Sequence, residues 1–305
     1  MDGLILIDKP RGMTSHDVVA RIRRILNQKQ VGHFGTLDPL ATGLLLVAAG
    51  SATRLFPFFS KHEKTYSGEI KLGFSTDTYD ALGKPVSEMN RQFPERGILV
   101  AAMERFVGPL NQVPPPYSAK KFAGKPLYKW ARANKEVPPR SSPVTVHTFR
   151  LTAYSPPALT FEVHCTSGTY IRSLAHDLGQ VLGCGAHLSV LRRLSIGRHG
   201  IKQARSLEEI EQLSGLKKPE GFLLPLESLL PEFPKAVLSG GGSRGLQKGR
   251  PIPQTEILRT IPVDPAPDQP QETGAVCRIF SLEGRFLALA RPLEDQDSLL
   301  PFLVL

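Results

Sequence analysis

The chain has 305 residues, 41% hydrophobic and 7% aromatic, which is enough for one large domain or two domains with ordinary cores. Its 38 Lys and Arg outnumber 28 Asp and Glu, and the net charge of +10 favours a polyanionic partner such as a nucleic acid. The sequence matches neither a signal peptide nor a membrane helix, and its three cysteines fit neither a disulfide framework nor a zinc site. We therefore expect a cytoplasmic protein without a membrane segment or a metal.

The first predicted elements are a short buried strand and an amphipathic helix. Gly3–Ile7 is apolar, and the following loop ends at Thr14, which forms a candidate capping box with Asp17. Behind this pair, apolar residues including Val18 and Ile22 recur at helical spacing. The opposite face carries three arginines, which either face solvent or lie along a phosphate backbone.

Further elements are predicted from their periodicity. Lys64–Phe74 alternates in polarity and predicts a strand, as does Leu159–Cys165, whereas Ile98–Phe106 and Tyr170–Leu182 have the spacing of helices. Near the carboxyl end, two apolar runs flank Glu283-Gly284 and predict a β-hairpin. This mixture of elements predicts an α+β protein.

The composition divides the chain into two predicted domains. Pro and Gly become frequent after Leu230, so we predict a catalytic domain over residues 1–231 and a small β-rich domain over 232–305. Residues 113–143 form a basic insertion rich in Pro, Lys and Arg, with interleaved aromatic residues. That composition suits looped RNA, although an irregular surface connection would look similar. The segment from Ile261 to Gly274 is predicted to be a flexible insertion.

The segment Gly32–Gly50 contains the strongest candidate for a chemical site. Its glycines permit unusual backbone angles, Pro39 restricts the backbone of Asp38, and an apolar run anchors the loop in the core. A single carboxylate on such a loop is suited to nucleophilic chemistry. An Asp-Pro turn without a chemical role is the alternative interpretation of the same residues.

Four blocks in this sequence resemble the TruB family of tRNA pseudouridine synthases. They are IDKPRGMTSHDVV from Ile7, GHFGTLDPLATGLL from Gly32, PPYSAKKFAGKPLYKWAR from Pro115, and CTSGTYIRSLAHDLGQVLGCGAHLSVLRR from Cys165. The resemblance implies a mixed, mostly antiparallel sheet in the catalytic domain and a PUA-type C-terminal domain. It also implies that a uridine at position 55 in the T-loop of tRNA is isomerised, by base flipping and without a cofactor.

The resemblance also implies roles for individual residues. Asp38 corresponds to the catalytic aspartate, Arg172 to its arginine partner, and Tyr66 to the tyrosine that stacks on the target base. Residues that would contact the substrate are His33, Tyr66, Tyr170, Leu191 and Lys9. For Lys9, a contact with a phosphate and a structural role both remain open.

Three other functions fit parts of the same evidence. They are RNA binding without catalysis, hydrolysis of small nucleosides with Asp38 as nucleophile, and modification inside a guide-RNA particle. The intact candidate residues oppose the first, and the basic insertion would have no purpose in the second. The short N-terminus favours a stand-alone enzyme over the third. We therefore expect a monomer that acts on the T-arm of tRNA without an obligate protein partner.

Overall fold

A computed structural model describes residues 1–133, 135, 137–138, 140–240, 246, 250–262, 276–293 and 298–305. Its α-helices are α1 (Ser15–Ile25), α2 (Phe56–Ser60), α3 (Arg96–Glu104), α4 (Leu127–Arg132), α5 (Ile171–Val181) and α6 (Leu207–Gly215). Its strands are β1 (Gly3–Lys9), β2 (Val31–His33), β3 (Thr42–Ala49), β4 (Lys64–Leu72), β5 (Gly108–Gln112), β6 (Lys121–Phe122), β7 (Lys125–Pro126), β8 (Ser142–Ser155), β9 (Ala158–Cys165), β10 (Ala186–Ile196), β11 (His199–Gly200), β12 (Leu223–Pro225), β13 (Lys235–Leu238), β14 (Ile252–Pro253), β15 (Ile257–Ile261), β16 (Cys277–Phe280), β17 (Phe286–Pro292) and β18 (Ser298–Val304).

The larger sheet has the order β12-β1-β3-β10-β4-β9-β8-β5, with β2 paired to β3 and β11 to β10. Its neighbours are antiparallel apart from β3 and β10, which are parallel where Thr42 and Gly43 pair with Arg192 and Arg193. The expected mixed, mostly antiparallel sheet is therefore confirmed. This parallel junction brings the glycine-rich segment beside the last of the four sequence blocks.

Both faces of β1 and β3 are buried, which explains their nearly unbroken apolar sequences. On β3, Leu45 and Val47 join the core that includes helices α1, α3, α5 and α6. Leu44 and Leu46 point the other way, into a second core. Because side chains alternate across a strand, a strand covered on both faces must be apolar at every position.

Helix α1 begins where the sequence predicted. The Thr14 hydroxyl accepts a hydrogen bond from the Asp17 amide, and the Asp17 carboxylate accepts one from the Thr14 amide at 2.8 Å. Helix α5 begins differently, because its first residue follows Tyr170, whose phenol cannot cap the backbone. Instead, the buried Gln112 amide side chain accepts from the Tyr170 amide at 2.7 Å and donates to its carbonyl at 3.0 Å. The carboxyl end of β5 thereby fixes the start of the helix that carries Arg172.

The C-terminal residues form a separate sheet of order β14-β18-β17-β16-β13-β15. Strands β16 and β17 are antiparallel around Glu283 and Gly284, so the predicted hairpin is confirmed. Most of the predicted insertion from Ile261 to Gly274 lies outside the described residues. In the described part of the chain, no helix is long and apolar enough to cross a membrane.

The second core joins the two sheets. It contains residues of the larger sheet, such as Leu4 and Leu46, together with Phe280, Phe286 and Leu289 of the smaller one. The Phe280 and Phe286 rings are stacked with centroids 5.1 Å apart. A chain ending at residue 231 would therefore expose apolar surface on the larger sheet.

This shared core predicts how the protein unfolds. Phe280 is 1% exposed, so Phe280→Ala should lower the free energy of unfolding by about 3–5 kcal/mol through lost burial and a cavity. Because the core spans both sheets, the urea transition should move as one, without a separate early phase. Leu282→Ala is the control, because Leu282 is 57% exposed in the hairpin turn. Two resolved transitions in Phe280→Ala would contradict a shared core.

Candidate active site

Asp38 lies on the connection between β2 and β3. Hydrogen bonds hold the backbone of this connection both before and after Asp38. The Ser15 hydroxyl at the start of α1 accepts from the Leu37 amide at 2.9 Å and donates to the Leu37 carbonyl at 3.1 Å. The Asp38 carbonyl accepts from the Ala41 amide at 3.0 Å, which closes a turn through Pro39. The turn interpretation and the site interpretation of Asp-Pro are therefore compatible.

The Arg172 guanidinium contacts the Asp38 carboxylate through two nitrogens. Its Nε lies 2.9 Å from Oδ2, and its Nη2 donates to Oδ1 at 3.1 Å. Arg172 is in the first turn of α5, where a cation is disfavoured by the helix dipole, and it is only 5% exposed. A planar fork on a fixed helix sets the orientation of the carboxylate as well as its charge.

A second carboxylate and two carbonyls use the remaining capacity of this guanidinium. Nη1 lies 3.6 Å from Asp80 Oδ2 and donates to the Thr78 carbonyl at 3.1 Å, while Nη2 donates to the Tyr117 carbonyl at 3.0 Å. Asp80 is itself held, because its Oδ1 accepts from the Thr78 hydroxyl at 2.7 Å. Arg172 thus connects two carboxylates and the start of the basic insertion.

The charge state of Asp38 reflects opposing influences. Burial raises the pKa of the Asp38 carboxyl above its ordinary value, and Asp80 raises it further. Arg172 is the largest influence that lowers this pKa, with a smaller contribution from Lys9. The carboxylate side chain remains 36% exposed, so a substrate can reach it. Because the net pKa is raised, the ionised form is lost at a higher pH than for an ordinary Asp.

Of three predicted pocket residues, Tyr66 and Tyr170 lie near this carboxylate, and Leu191 lies in the adjoining core. Tyr66 on β4 and Leu191 on β10 are 7% and 5% exposed, and both belong to the core that contains Leu37. Tyr170 precedes α5 directly. Burial raises the pKa of both tyrosines, and the nearby Asp38 charge adds to this effect. The structure therefore brings Tyr66, Tyr170 and Arg172 within electrostatic reach of Asp38.

His33 and Lys9 have different surroundings. The His33 ring meets His16 edge-on at a centroid distance of 5.3 Å, and burial lowers its pKa to about 4, so it is neutral at neutral pH. Lys9 is completely buried, and its ammonium donates to the carbonyls of Pro10 and Met13 at 2.9 and 2.7 Å. Of the two interpretations of Lys9, this geometry favours support of the loop.

Comparisons with known proteins match the part of the chain that contains Asp38 and Arg172. The N-terminal domain of the "TruB family pseudouridylate synthase" matches residues 23–171, and the "tRNA pseudouridylate synthase B C-terminal domain" matches residues 172–231. A protein of Solibacter usitatus named tRNA pseudouridine synthase B is 46% identical over 83% of this chain and 86% of its own. One of the same name from Cupriavidus metallidurans is 40% identical over 96% and 91%. The chain belongs to the TruB family.

Solved structures share the fold of this TruB-family protein. A chain in a structure of an H/ACA RNP bound to a substrate RNA containing 2′-deoxyuridine has a TM-score of 0.70 at 24% identity and covers 99% of this chain and 84% of its own. A chain in a Cbf5-Nop10-Gar1 complex has a TM-score of 0.67 at 27% identity, covering 95% and 78%. The match over 99% of the chain includes the smaller sheet.

Some residues of the site were not found by sequence reasoning. Asp80 and Gln112 lie outside the four blocks that carry the TruB resemblance. Asp80 is 92 positions from its partner Arg172, and Gln112 is 58 positions from its partner Tyr170. The only local signal was the turn-forming run STDTYDALG around Asp80, which predicts a loop without assigning it a function. Within the described residues, no group of three or more His, Cys, Asp or Glu is placed to hold a metal ion.

Asp80 gives the first test of this TruB-family site. Asp80→Asn removes one of the two carboxylates beside Arg172, so the guanidinium should lose its fixed orientation. We expect kcat for pseudouridine formation to fall at least about 10-fold with KM changed by less than about threefold, because substrate binding is not touched. The matched control is Asp77→Asn in the same loop, because the only described hydrogen bond of the Asp77 side chain is the one it accepts from the Lys84 amide. Equal effects of both substitutions would contradict the role of Asp80.

Lys9 gives a test by pH. Burial lowers its pKa to about 8, so the unfolded chain binds more protons and stability should rise with pH between about 8 and 10.5. From pH 7 to 9.5 this adds about 2 kcal/mol to the free energy of unfolding, an amount that Lys9→Met should abolish. Urea titrations of both proteins at the two pH values measure the difference, with Lys71→Met as an exposed control. A variant with the wild-type pH dependence would show that Lys9 does not titrate there.

Proposed function

We propose that this protein converts uridine to pseudouridine at position 55 in the T-loop of tRNA, with Asp38 as the nucleophile. The observation that carries the proposal is the two-point contact between Asp38 and the buried Arg172, with Tyr66 within electrostatic reach of Asp38. The proposed substrate rests on the relatives named tRNA pseudouridine synthase B, which are 40–46% identical. The basic net charge of the chain agrees with an RNA substrate.

The proposed reaction moves the C1′ bond of one uracil from N1 to C5. The N1–C1′ bond breaks, the uracil turns, the C5–C1′ bond forms, C5 loses its proton and N1 gains one. Substrate and product are isomers, so no redox cofactor or energy source enters the balance. An ionised carboxylate can either attack C1′ or accept the 2′-proton on the way to a glycal, and Asp38 is suited to both routes.

The surrounding side chains complete the proposed pocket. Arg172 favours the ionised form of Asp38 against the effect of burial, and its fork aims the carboxylate. Tyr66 offers a ring to the flipped base, which replaces the stacking lost from the RNA. Tyr170 and Leu191 form walls of the uridine pocket, and the neutral His33 packs against the flipped T-loop nucleotides.

The basic insertion is the proposed contact to the T-arm. Its cations lie over its own aromatic rings, with Lys125 6.0 Å from the Trp130 centroid and Arg132 5.5 Å from that of Tyr128. A cavity of about 550 Å³ is lined by this segment and includes the indole of Trp130. Aromatic faces and cations together suit unstacked bases and their phosphates. We place residues 1–231 in the catalytic domain and 232–305 in a PUA-type domain that adds RNA affinity.

Two further parts of the proposal concern how the protein works in the cell. We propose a cytoplasmic monomer that acts without a guide RNA or protein partner, whereas the similar solved chains belong to an H/ACA RNP and a Cbf5-Nop10-Gar1 complex. Incubating the purified protein alone with an unmodified tRNA transcript and with free uridine separates the alternatives. Pseudouridine mapped by mass spectrometry to position 55 of the transcript supports the proposal. Release of uracil from free uridine would instead support a nucleoside hydrolase.

Asp38→Asn tests the nucleophile. The substitution preserves volume and removes the charge, so we expect pseudouridine formation to fall at least about 1000-fold while tRNA affinity stays within about fivefold. Single-turnover assays and filter binding measure the two quantities, with Asp77→Asn as the control. Turnover within tenfold of wild type would exclude Asp38 as the nucleophile.

Salt dependence tests the insertion. Replacing Lys120, Lys121, Lys125 and Arg132 with serine should reduce the slope of log Kd against log salt by about 2 to 3, since each lost phosphate contact removes somewhat less than one unit. The control replaces four exposed lysines elsewhere, Lys71, Lys202, Lys217 and Lys218. If both quadruple variants have the same slope, the insertion is not the phosphate contact.

A further inference from the structure

Arg193 is a buried cation that the proposed reaction does not use. It is 1% exposed, and three of its hydrogen bonds go to backbone carbonyls: Nε to Leu44 at 2.7 Å, Nη1 to Thr36 at 3.3 Å and Nη2 to Gly35 at 3.1 Å. None of the described ion pairs includes Arg193. Burying a guanidinium without a carboxylate partner costs several kcal/mol, so an apolar side chain would fill this space more cheaply.

The carbonyls that Arg193 binds belong to the segment that carries Asp38. Gly35 and Thr36 lie just before Asp38, and Leu44 lies on the strand that follows it. On the other side, Ser15 brackets the intervening Leu37 with two hydrogen bonds. The backbone that carries the Asp38 carboxylate is therefore held in place from two sides, by Ser15 on one side and by Arg193 on the other.

The backbone of Arg193 also fits this junction closely. A Cβ atom on Gly43 would lie 2.4 Å from the Arg193 carbonyl oxygen and 2.7 Å from its nitrogen, so the two strands can approach only because residue 43 is glycine. Gly35 has φ +107°, a conformation that disfavours other residues, and its hydrogen faces the Arg193 side chain. The arginine and the glycine-rich segment are therefore complementary.

Arg193 also reaches the tyrosine of the pocket. It is the register partner of Tyr66 between β10 and β4, so the two side chains emerge on the same face of the sheet. The Tyr66 hydroxyl interacts with the guanidinium and raises the pKa of Arg193 against the larger effect of burial. Asp38 acts on that pKa in the same direction, so the cation in turn favours the ionised carboxylate.

We propose that Arg193 is a positioning residue for the reaction, which holds the Asp38 loop and the Tyr66 phenol in one geometry. This inference rests on the proposed function. The alternative is a structural support whose loss would affect only stability. The two differ in whether kcat and its dependence on pH change in protein that is still folded.

Two substitutions separate geometry from charge. Arg193→Lys keeps the charge and the alkyl stem, but one ammonium cannot span three carbonyls. Arg193→Met keeps the stem and removes the charge and all donors. The control is Arg192→Met at the neighbouring position, where the side chain is 38% exposed and pairs with Asp8. Each protein is assayed at saturating T-arm stem-loop, at least 15 °C below its own melting temperature, from pH 5 to 9.

We expect kcat to fall about 100-fold in both Arg193 variants, with KM within threefold and the control within threefold of wild type. The acid limb of the kcat profile should move to higher pH in Arg193→Met and stay in place in Arg193→Lys. Folded variants with wild-type kcat, or losses that only follow the unfolded fraction with an unchanged acid limb, would overturn the proposal. If Arg193→Met does not fold, the kcat of Arg193→Lys tests the proposal alone. A wild-type protein inactive on the stem-loop would refute the proposed function instead.

Discussion

The buried guanidinium of Arg172 is the interaction on which the site depends. It joins segments from four parts of the chain: the Asp38 loop, the loop of Thr78 and Asp80, the start of the basic insertion at Tyr117, and helix α5. Each of its contacts offsets part of the cost of removing a positive charge from water. Burial raises the pKa of Asp38, and Asp80, which shares the guanidinium, raises it further, while the Asp38 side chain remains accessible.

The sequence motifs pointed to the candidate catalytic residues but not to the buried residues that hold them in position. Asp38 and Arg172 stand in long blocks that resemble the TruB family, whereas Tyr66 lies between two of these blocks. Periodicity located β1, α1, β4 and α5 to within a few residues. The roles of Asp80, Gln112 and Arg193 depend on which distant backbone atoms they reach. A buried polar residue is identified by its partners, and those are set by the order of strands in the sheet, which composition and spacing do not encode.

Lys9 illustrates the same limit from the other direction. A lysine beside a polar loop of a basic protein has two reasonable interpretations, a phosphate contact and a structural role. The outcome depends on whether nearby carbonyls can accept its hydrogen bonds, and here those of Pro10 and Met13 accept two of them inside the fold. The smaller sheet presents a similar case, because its composition predicted β structure but not that its phenylalanines would complete the core of the larger sheet.

The parallel pairing of β3 with β10 has a consequence for how the enzyme is made. It joins residues 150 positions apart, Thr42 and Arg192, so a long loop must close before the junction can form. Asp38 is synthesised early, but both arginines that hold its surroundings leave the ribosome much later. Domains fold largely as their residues emerge, so the nascent chain carries Asp38, the proposed nucleophile, long before the surrounding site can form. A translation product that ends before residue 172 would contain Asp38 but neither arginine, and it would lack the strand that pairs in parallel with β3.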